Sequence, residues 1–124
     1  MHSPPRILIV DDNETNRDIL MARLGPQGYE LKQAADGEEA LAAARELLPD
    51  LILMDIQLPI MDGYEATRRI KAMPEFNSIP IIVVTSYALS GDEGKAREAG
   101  CDAYVTKPYS PRALLAKIRE YMPK

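Results

Sequence analysis

Asp11, Asp12, Asp55, Thr85, Ser86 and Lys107 each stand directly behind one of four short apolar runs, and as a set they could bind a cation and an anion side by side. The runs are Ile7–Val10, Leu51–Met54, Ile81–Val84 and Ala103–Thr106. Short runs rich in β-branched residues read as buried strands, and the helical patterns between them imply parallel strands joined by crossovers. Parallel strands share one C-terminal edge, and in an open α/β sheet ligands bind outside that edge. Three carboxylates, two hydroxyls and an ammonium group, far apart along the chain, are therefore expected to converge.

Aspartate behind a strand is also a common helix cap or turn residue, and Asp12 or Asn13 taken alone reads better as a cap. Asp55 changes the weighting. Three carboxylates at one edge repel each other unless a cation sits among them. Oxygen-only ligands suit Mg²⁺, which keeps several waters and takes one or two carboxylates plus a phosphate at about 2.0–2.1 Å. Zinc would ask for His or Cys nearby, and neither is there. Lys107 read alone is a solvated surface lysine, but Pro108 forces a turn directly after it. A cis Lys107-Pro108 peptide would aim the ammonium group across the sheet edge. Thr85 and Ser86 read alone are polar strand ends; beside Mg²⁺ and Lys107 their hydroxyls would complete a cradle for a phosphoryl group. A carboxylate oxygen could then attack in line while the cation and Lys107 neutralise the equatorial oxygens.

Positioning those groups requires five strand-like and five helix-like segments in alternation. Arg6–Val10 leads to a helix over Glu14–Leu24, which Gly25-Pro26 is expected to end. Tyr29–Ala34 alternates polar and apolar residues and so predicts an edge strand. Ala40, Leu41, Ala44, Leu47 and Leu48 recur at helical spacing, placing a second helix over Gly37–Leu48 before Pro49. A third helix is predicted over Tyr64–Met73, with Ala66, Thr67, Ile70 and Met73 inward and Pro74 as its stop. The fourth, over Ser90–Ala99, is weakened by Gly91 and Gly94, each costing up to ~1 kcal/mol against alanine. Leu114, Leu115, Ile118, Tyr121 and Met122 define the fifth. A single domain over 1–124 is expected, with residues 1–5 as a flexible tail.

Composition excludes several classes. With 124 residues, 46% hydrophobic and 27% charged, one domain with a sizeable core fits and a second does not. A net charge of -4 and a pI near 5.0 leave no basic field for general nucleic-acid binding. The start MHSPPR lacks the apolar stretch of a signal peptide, and no apolar run approaches the ~20 residues of a membrane span, so a cytoplasmic protein is expected. Cys101 is the lone cysteine and reads as a small strand residue. Gly91-Asp92-Glu93-Gly94-Lys95-Ala96 superficially resembles a P-loop, but its glycine spacing is too short and the Ser/Thr after Lys is missing. No catalytic triad can be built, because the only histidine is His2.

The motifs ILIVDDNETN, AADGEEAL, PDLILMDIQLPIMDGYE, IPIIVVTSYA and AYVTKP occur in this order, and over residues 5–122 the chain resembles a response-regulator receiver domain of the stand-alone type. The resemblance implies an α/β fold with a five-stranded parallel sheet of order 2-1-3-4-5 flanked by five helices. It implies Asp55 as phosphoacceptor; Asp11, Asp12, Asp55 and the Gln57 backbone carbonyl as Mg²⁺ ligands, with Asp11 acting directly or through water; and Thr85, Ser86 and Lys107 as phosphoryl-binding groups. Mn²⁺ could take the place of Mg²⁺. Thr85 and Tyr104 are implied as the switch pair. Gln57 and Tyr87, both bulky, should flank the path of water to the phosphoryl group and tune its loss. Tyr109 is a further aromatic nearby, equally readable as packing at a helix entry. The implied donor is a partner's phosphohistidine, on a sensor histidine kinase or a histidine phosphotransfer protein. Output is expected through contacts on the face of the fourth helix, fifth strand and fifth helix, from a monomer or weak dimer with no nucleic-acid or membrane partner.

Other classes fit less well. A Mg²⁺-dependent aspartyl-phosphate phosphohydrolase would also use a strand-end aspartate, but Asp55-Ile56-Gln57 lacks the second acid two residues on. A flavodoxin-like cofactor binder needs a hydroxyl- and glycine-rich first loop, and Asp11-Asp12-Asn13-Glu14 would repel its phosphate. A purely structural partner module stays open if the acids only bind metal.

Overall fold

The computed structural model describes residues 4–56, 58, 61–85, 92–106 and 110–121. Five strands, β1 (Arg6–Val10), β2 (Glu30–Ala34), β3 (Leu51–Asp55), β4 (Ile81–Thr85) and β5 (Ala103–Thr106), alternate with five helices, α1 (Glu14–Leu24), α2 (Gly37–Leu47), α3 (Gly63–Ala72), α4 (Asp92–Ala99) and α5 (Pro111–Tyr121). All strands pair in parallel in the order β2-β1-β3-β4-β5. From β1 the chain steps outward to β2 and then returns to the other side of β1 to form β3. The strand order therefore reverses at β1/β3, opening a crevice beyond their C-terminal ends.

Strand alternation divides the core into two layers. Leu8, Val10, Ile52, Met54, Ile81 and Val83 face one side, against Ala40, Ala44 and Leu47 of α2 and Ala66 and Ile70 of α3. Ile7, Ile9, Leu51, Leu53 and Ile82 face the other, against Leu20 and Leu24 of α1 and Leu114 and Ile118 of α5. The central strand β3 is buried at every position, as a strand covered on both faces must be. β2 lies at the edge, as its alternation predicts, with only Ala34 buried.

Boundaries shift where caps decide them. α1 ends at Leu24, as the Gly25-Pro26 pair predicts; a separate 3-10 turn over Gly25–Gln27 follows, and Gly28, at φ 91°, ends it. Gly28 is needed there because a side chain disfavours that left-handed backbone. The third helix begins one residue before the predicted start, at Gly63, since the Asp62 side chain accepts the Glu65 amide proton at 2.9 Å. Pro5, assigned by the sequence to a tail, accepts the Glu30 amide proton at 2.9 Å on its carbonyl. Cys101 lies two residues before β5 rather than within it, half-buried against the α2/α3 layer. A tie the sequence did not suggest runs through Lys71, whose Nζ donates to the Ile79 carbonyl at 2.6 Å and to Asp102 Oδ2 at 2.8 Å. The same Asp102 oxygen accepts the Ile81 amide proton at 2.9 Å, so α3 is fastened to the starts of β4 and β5.

Candidate functional site

Alternation along β1 and β3 determines where the acids point. Asp11 continues the series Ile7, Ile9, and Asp55 the series Leu51, Leu53, so both project from the α1/α5 face at the C-terminal edge. Each is only 4% exposed. Asp12, on the next residue, is exposed. Carboxylate oxygens of Asp11, Asp12 and Asp55 all lie within 4.8 Å of one another, the spacing at which one cation could be shared. Below Asp11 and Asp55 is a void of about 10 Å³, floored by Ile9, Leu20, Leu53 and Val84. Two buried carboxylates thus rest on an apolar floor, where their charge is screened less than at an open surface.

The neighbours of the triad separate cap from ligand. Asn13 is the cap of α1, its side chain accepting the Asn16 amide proton at 2.9 Å. That leaves the Asp12 carboxylate outside the cap and beside Asp11 and Asp55. Asp11 Oδ1 accepts the Asn13 amide proton at 2.8 Å, which orients the carboxylate, and the Asp11 amide proton goes to the Ala34 carbonyl at 3.1 Å. Arg17, one turn into α1, donates from Nη1 to the Asp11 carbonyl at 2.6 Å.

Asp55 is held by close backbone packing. The Ile56 amide donates to the Val84 carbonyl at 3.2 Å, and the Gly63 amide to the Ile56 carbonyl at 3.0 Å. A Cβ on Gly63 would lie 2.8 Å from Ile56 Cα, and closer still to the Asp55 carbonyl oxygen. The first residue of α3 must therefore lack a side chain. Gly37, opening α2, meets a similar limit: its Cβ would stand 2.8 Å from Met61 Cβ. Arg17 and Gly63 were not singled out from the sequence. Gly63 follows the capping residue Asp62, which is the one sequence signal that could have marked it.

Of the other candidates, Thr85 closes β4 opposite Thr106 of β5. Tyr104 pairs in register with Val83 and is partly buried against the α2/α3 layer. Gln57, Ser86, Tyr87, Lys107 and Tyr109, the Thr85 side chain and the Lys107-Pro108 peptide lie outside the described residues.

A family model described as the response regulator receiver domain matches residues 7–119. The chain belongs to the response regulator receiver domain family. Among relatives of this receiver domain, the polar-differentiation response regulator DivK of Brucella anthropi is 44% identical over 119 residues, covering 96% of this chain and 97% of that protein. The chemotaxis response regulator CheY4 of Vibrio cholerae superposes with a TM-score of 0.90 at 29% identity, covering 95% of this chain and 98% of the other. The receiver domain of the sensor histidine kinase PA1611 from Pseudomonas aeruginosa PAO1 is 38% identical, with a TM-score of 0.87 over 94% of this chain and 96% of its own. Its structure has a magnesium ion coordinated in the active site cleft. Receiver domains are signalling proteins of two-component systems rather than classical enzymes. Among the described residues no helix is long and apolar enough to cross a membrane.

Proposed function

We propose that this receiver accepts a phosphoryl group on Asp55 from a partner's phosphohistidine in a Mg²⁺-dependent reaction, and signals through protein contacts that depend on that group. The observation that carries the reading is the convergence of Asp11, Asp12 and Asp55 oxygens within 4.8 Å at the strand-order reversal. The donor set is all carboxylate, which suits a hard divalent cation, and Asp11, Asp12 and Asp55 would hold it together with the Gln57 carbonyl. When bound, Mg²⁺ would neutralise charge on the phosphoryl oxygens.

The residues supply the rest. An Asp55 carboxylate oxygen attacks phosphorus, the P–N bond to the donor imidazole breaks, and that nitrogen leaves with the electron pair. Asp11, fixed by the Asn13 amide and Arg17, stays aimed at the cleft. The apolar floor of Ile9, Leu53 and Val84 keeps bulk water from the underside of the acids. Thr85, Ser86 and Lys107 bind the transferred group. Gln57 and Tyr87 add bulk but no charged base near the attacking water, so self-dephosphorylation is slow. Drawing the Thr85 hydroxyl toward the phosphoryl group frees space for the Tyr104 ring, which biases a pre-existing equilibrium at the α4–β5–α5 face.

Incubation with acetyl phosphate and Mg²⁺ should add one acid-labile phosphate per chain. Asp55→Asn, or excess chelator with the native chain, should abolish labelling. Undiminished labelling in either arm refutes the assignment.

A further inference from the structure

Gly63, Thr67 and Lys71 follow one another at four-residue spacing and form a line along one side of α3. At its start the line meets Asp55: a Cβ on Gly63 would strike the Asp55 carbonyl oxygen, and the Gly63 amide donates to the Ile56 carbonyl at 3.0 Å. At its end Lys71 reaches the root of α4 and β5. Its Cγ lies 3.2 Å from where a Cβ of Gly100 would stand, and Gly100, at φ 101°, forms the turn out of α4. Its Nζ donates to Asp102 Oδ2 at 2.8 Å, and the Asp102 carbonyl accepts the Tyr121 hydroxyl proton of α5 at 2.9 Å. Thr67 stands between the two ends, fully buried, and its hydroxyl has no hydrogen-bond partner among the described residues. A buried hydroxyl left unpaired is costly, and phosphoryl transfer to Asp55 gives this one no task.

We propose that α3 is a two-state element: in this structure it is seated with the Thr67 hydroxyl unpaired, and in the phosphorylated chain it is bent, with that hydroxyl donating to the Gly63 carbonyl and Lys71 carrying the shift to the root of α4 and β5. The proposal rests on the reading of Asp55 as phosphoacceptor and adds a route by which its state leaves the site. A threonine inside a helix can donate to the carbonyl four residues back, and such a bond bends the helix. In helical geometry the Gly63 carbonyl takes the Thr67 amide proton and keeps a second lone pair for the hydroxyl. Packing of Gly63 on the Asp55 and Ile56 backbone fixes the first turn of α3 in the present state. A phosphoryl group on Asp55 displaces that backbone, the first turn is released, and the hydroxyl finds its acceptor. One turn further on, Lys71 is tied to the Ile79 carbonyl and to Asp102, so a bend in α3 moves the α4–β5 turn with it. The shift enters β5 at its start, whereas Thr85 lies at the C-terminal end of the neighbouring strand. Phosphorylation selects between the two seats of α3 only through the difference in how Gly63 meets Asp55, which is the differential interaction a population shift needs.

The test compares the native full chain with Thr67→Val, Thr67→Ser and Lys71→Met. Valine keeps the shape of threonine without the hydroxyl, so Thr67→Val should raise the urea midpoint, whereas Thr67→Ser, which keeps the hydroxyl, should respond to activation as the native chain does. Backbone amide shifts are then followed during titration with beryllofluoride and Mg²⁺. Thr67→Val should need ~10-fold more beryllofluoride for half saturation, because its resting state is stabilised and its bent state has no bond to gain. Lys71→Met should keep the shifts at Asp55, Ile56 and Gly63 and lose those at residues 100–103. A lower urea midpoint in Thr67→Val would mean that the hydroxyl is already satisfied, by a buried water or a carbonyl, and overturns the proposal. Native half saturation in Thr67→Val, or undiminished shifts at 100–103 in Lys71→Met, overturns it equally. A native chain silent at Asp55 and Ile56 refutes the phosphoacceptor reading and this coupling with it; a native chain that responds there, with variants that respond alike, refutes the coupling alone.

Discussion

Arg17 donates from Nη1 to the Asp11 carbonyl at 2.6 Å and from Nε to Gln33 Oε1 at 2.9 Å, joining α1, the end of β1 and the edge strand β2 through one guanidinium. The group holds the backbone of an acid whose side chain faces the cleft. Arg17→Gln should weaken Mg²⁺ binding about 10-fold by isothermal titration calorimetry, the usual scale for loss of an outer support to a ligand. Removing a positive charge would by itself tighten cation binding, so weaker binding reports position. Unchanged or tighter binding would show that Arg17 does not orient the site.

Gly63 is the second support. A Cβ there meets the backbone of Asp55 and Ile56, which cannot swing aside as a side chain can. Gly63→Ala is expected to cost about 2 kcal/mol in urea unfolding, within the range for forced overpacking, and to slow Asp55 labelling. Gly37→Ala would bring its Cβ to 2.8 Å from the Met61 carbonyl oxygen and Cβ, a less severe approach than at Gly63, and should be milder in both measurements.

Gly94 lies in α4, where a Cβ would meet nothing within 4 Å. Gly94→Ala should raise stability by about 0.5–1 kcal/mol in the same urea titration, because the unfolded chain loses freedom and the folded helix gains propensity. A loss of stability would mean that α4 requires glycine for another reason.

Tyr87 is the residue through which the phosphoryl lifetime is expected to be tuned. Tyr87→Ala should speed loss of the phosphate from Asp55 after the donor is removed. Decay at the native rate in the same buffer would dismiss steric gating by this side chain.

Burial pushes the Cys101 thiol above its ordinary value of 9.0, and the neighbouring Asp102 charge adds to this. The fold favours the neutral thiol, so its contribution to stability is complete below the unfolded value and fades as pH rises through the folded one. Iodoacetamide should react slowly at neutral pH, with a rate profile displaced to higher pH than in the urea-unfolded chain. Coincident folded and unfolded profiles would contradict this.

Much of the architecture was legible because local patterns here agree with the global fold. Continuous apolar runs at β1, β3 and β4 are what two-sided burial demands, and the polar alternation of Tyr29–Ala34 signalled an edge. The placement of Asp11, Asp12 and Asp55 at strand ends followed from the same runs. Strand order entered through a family resemblance; periodicity carries no information about which strands pair. Tertiary structure alone decided that Asn13, not Asp12, caps α1, because a cap is defined by which backbone amide its oxygen reaches. It also decided that Gly63 presses on Asp55 and that Arg17 grips Asp11. Those relationships depend on packing distances between segments, and a residue's type reveals such a distance only after the chain has brought its neighbour alongside.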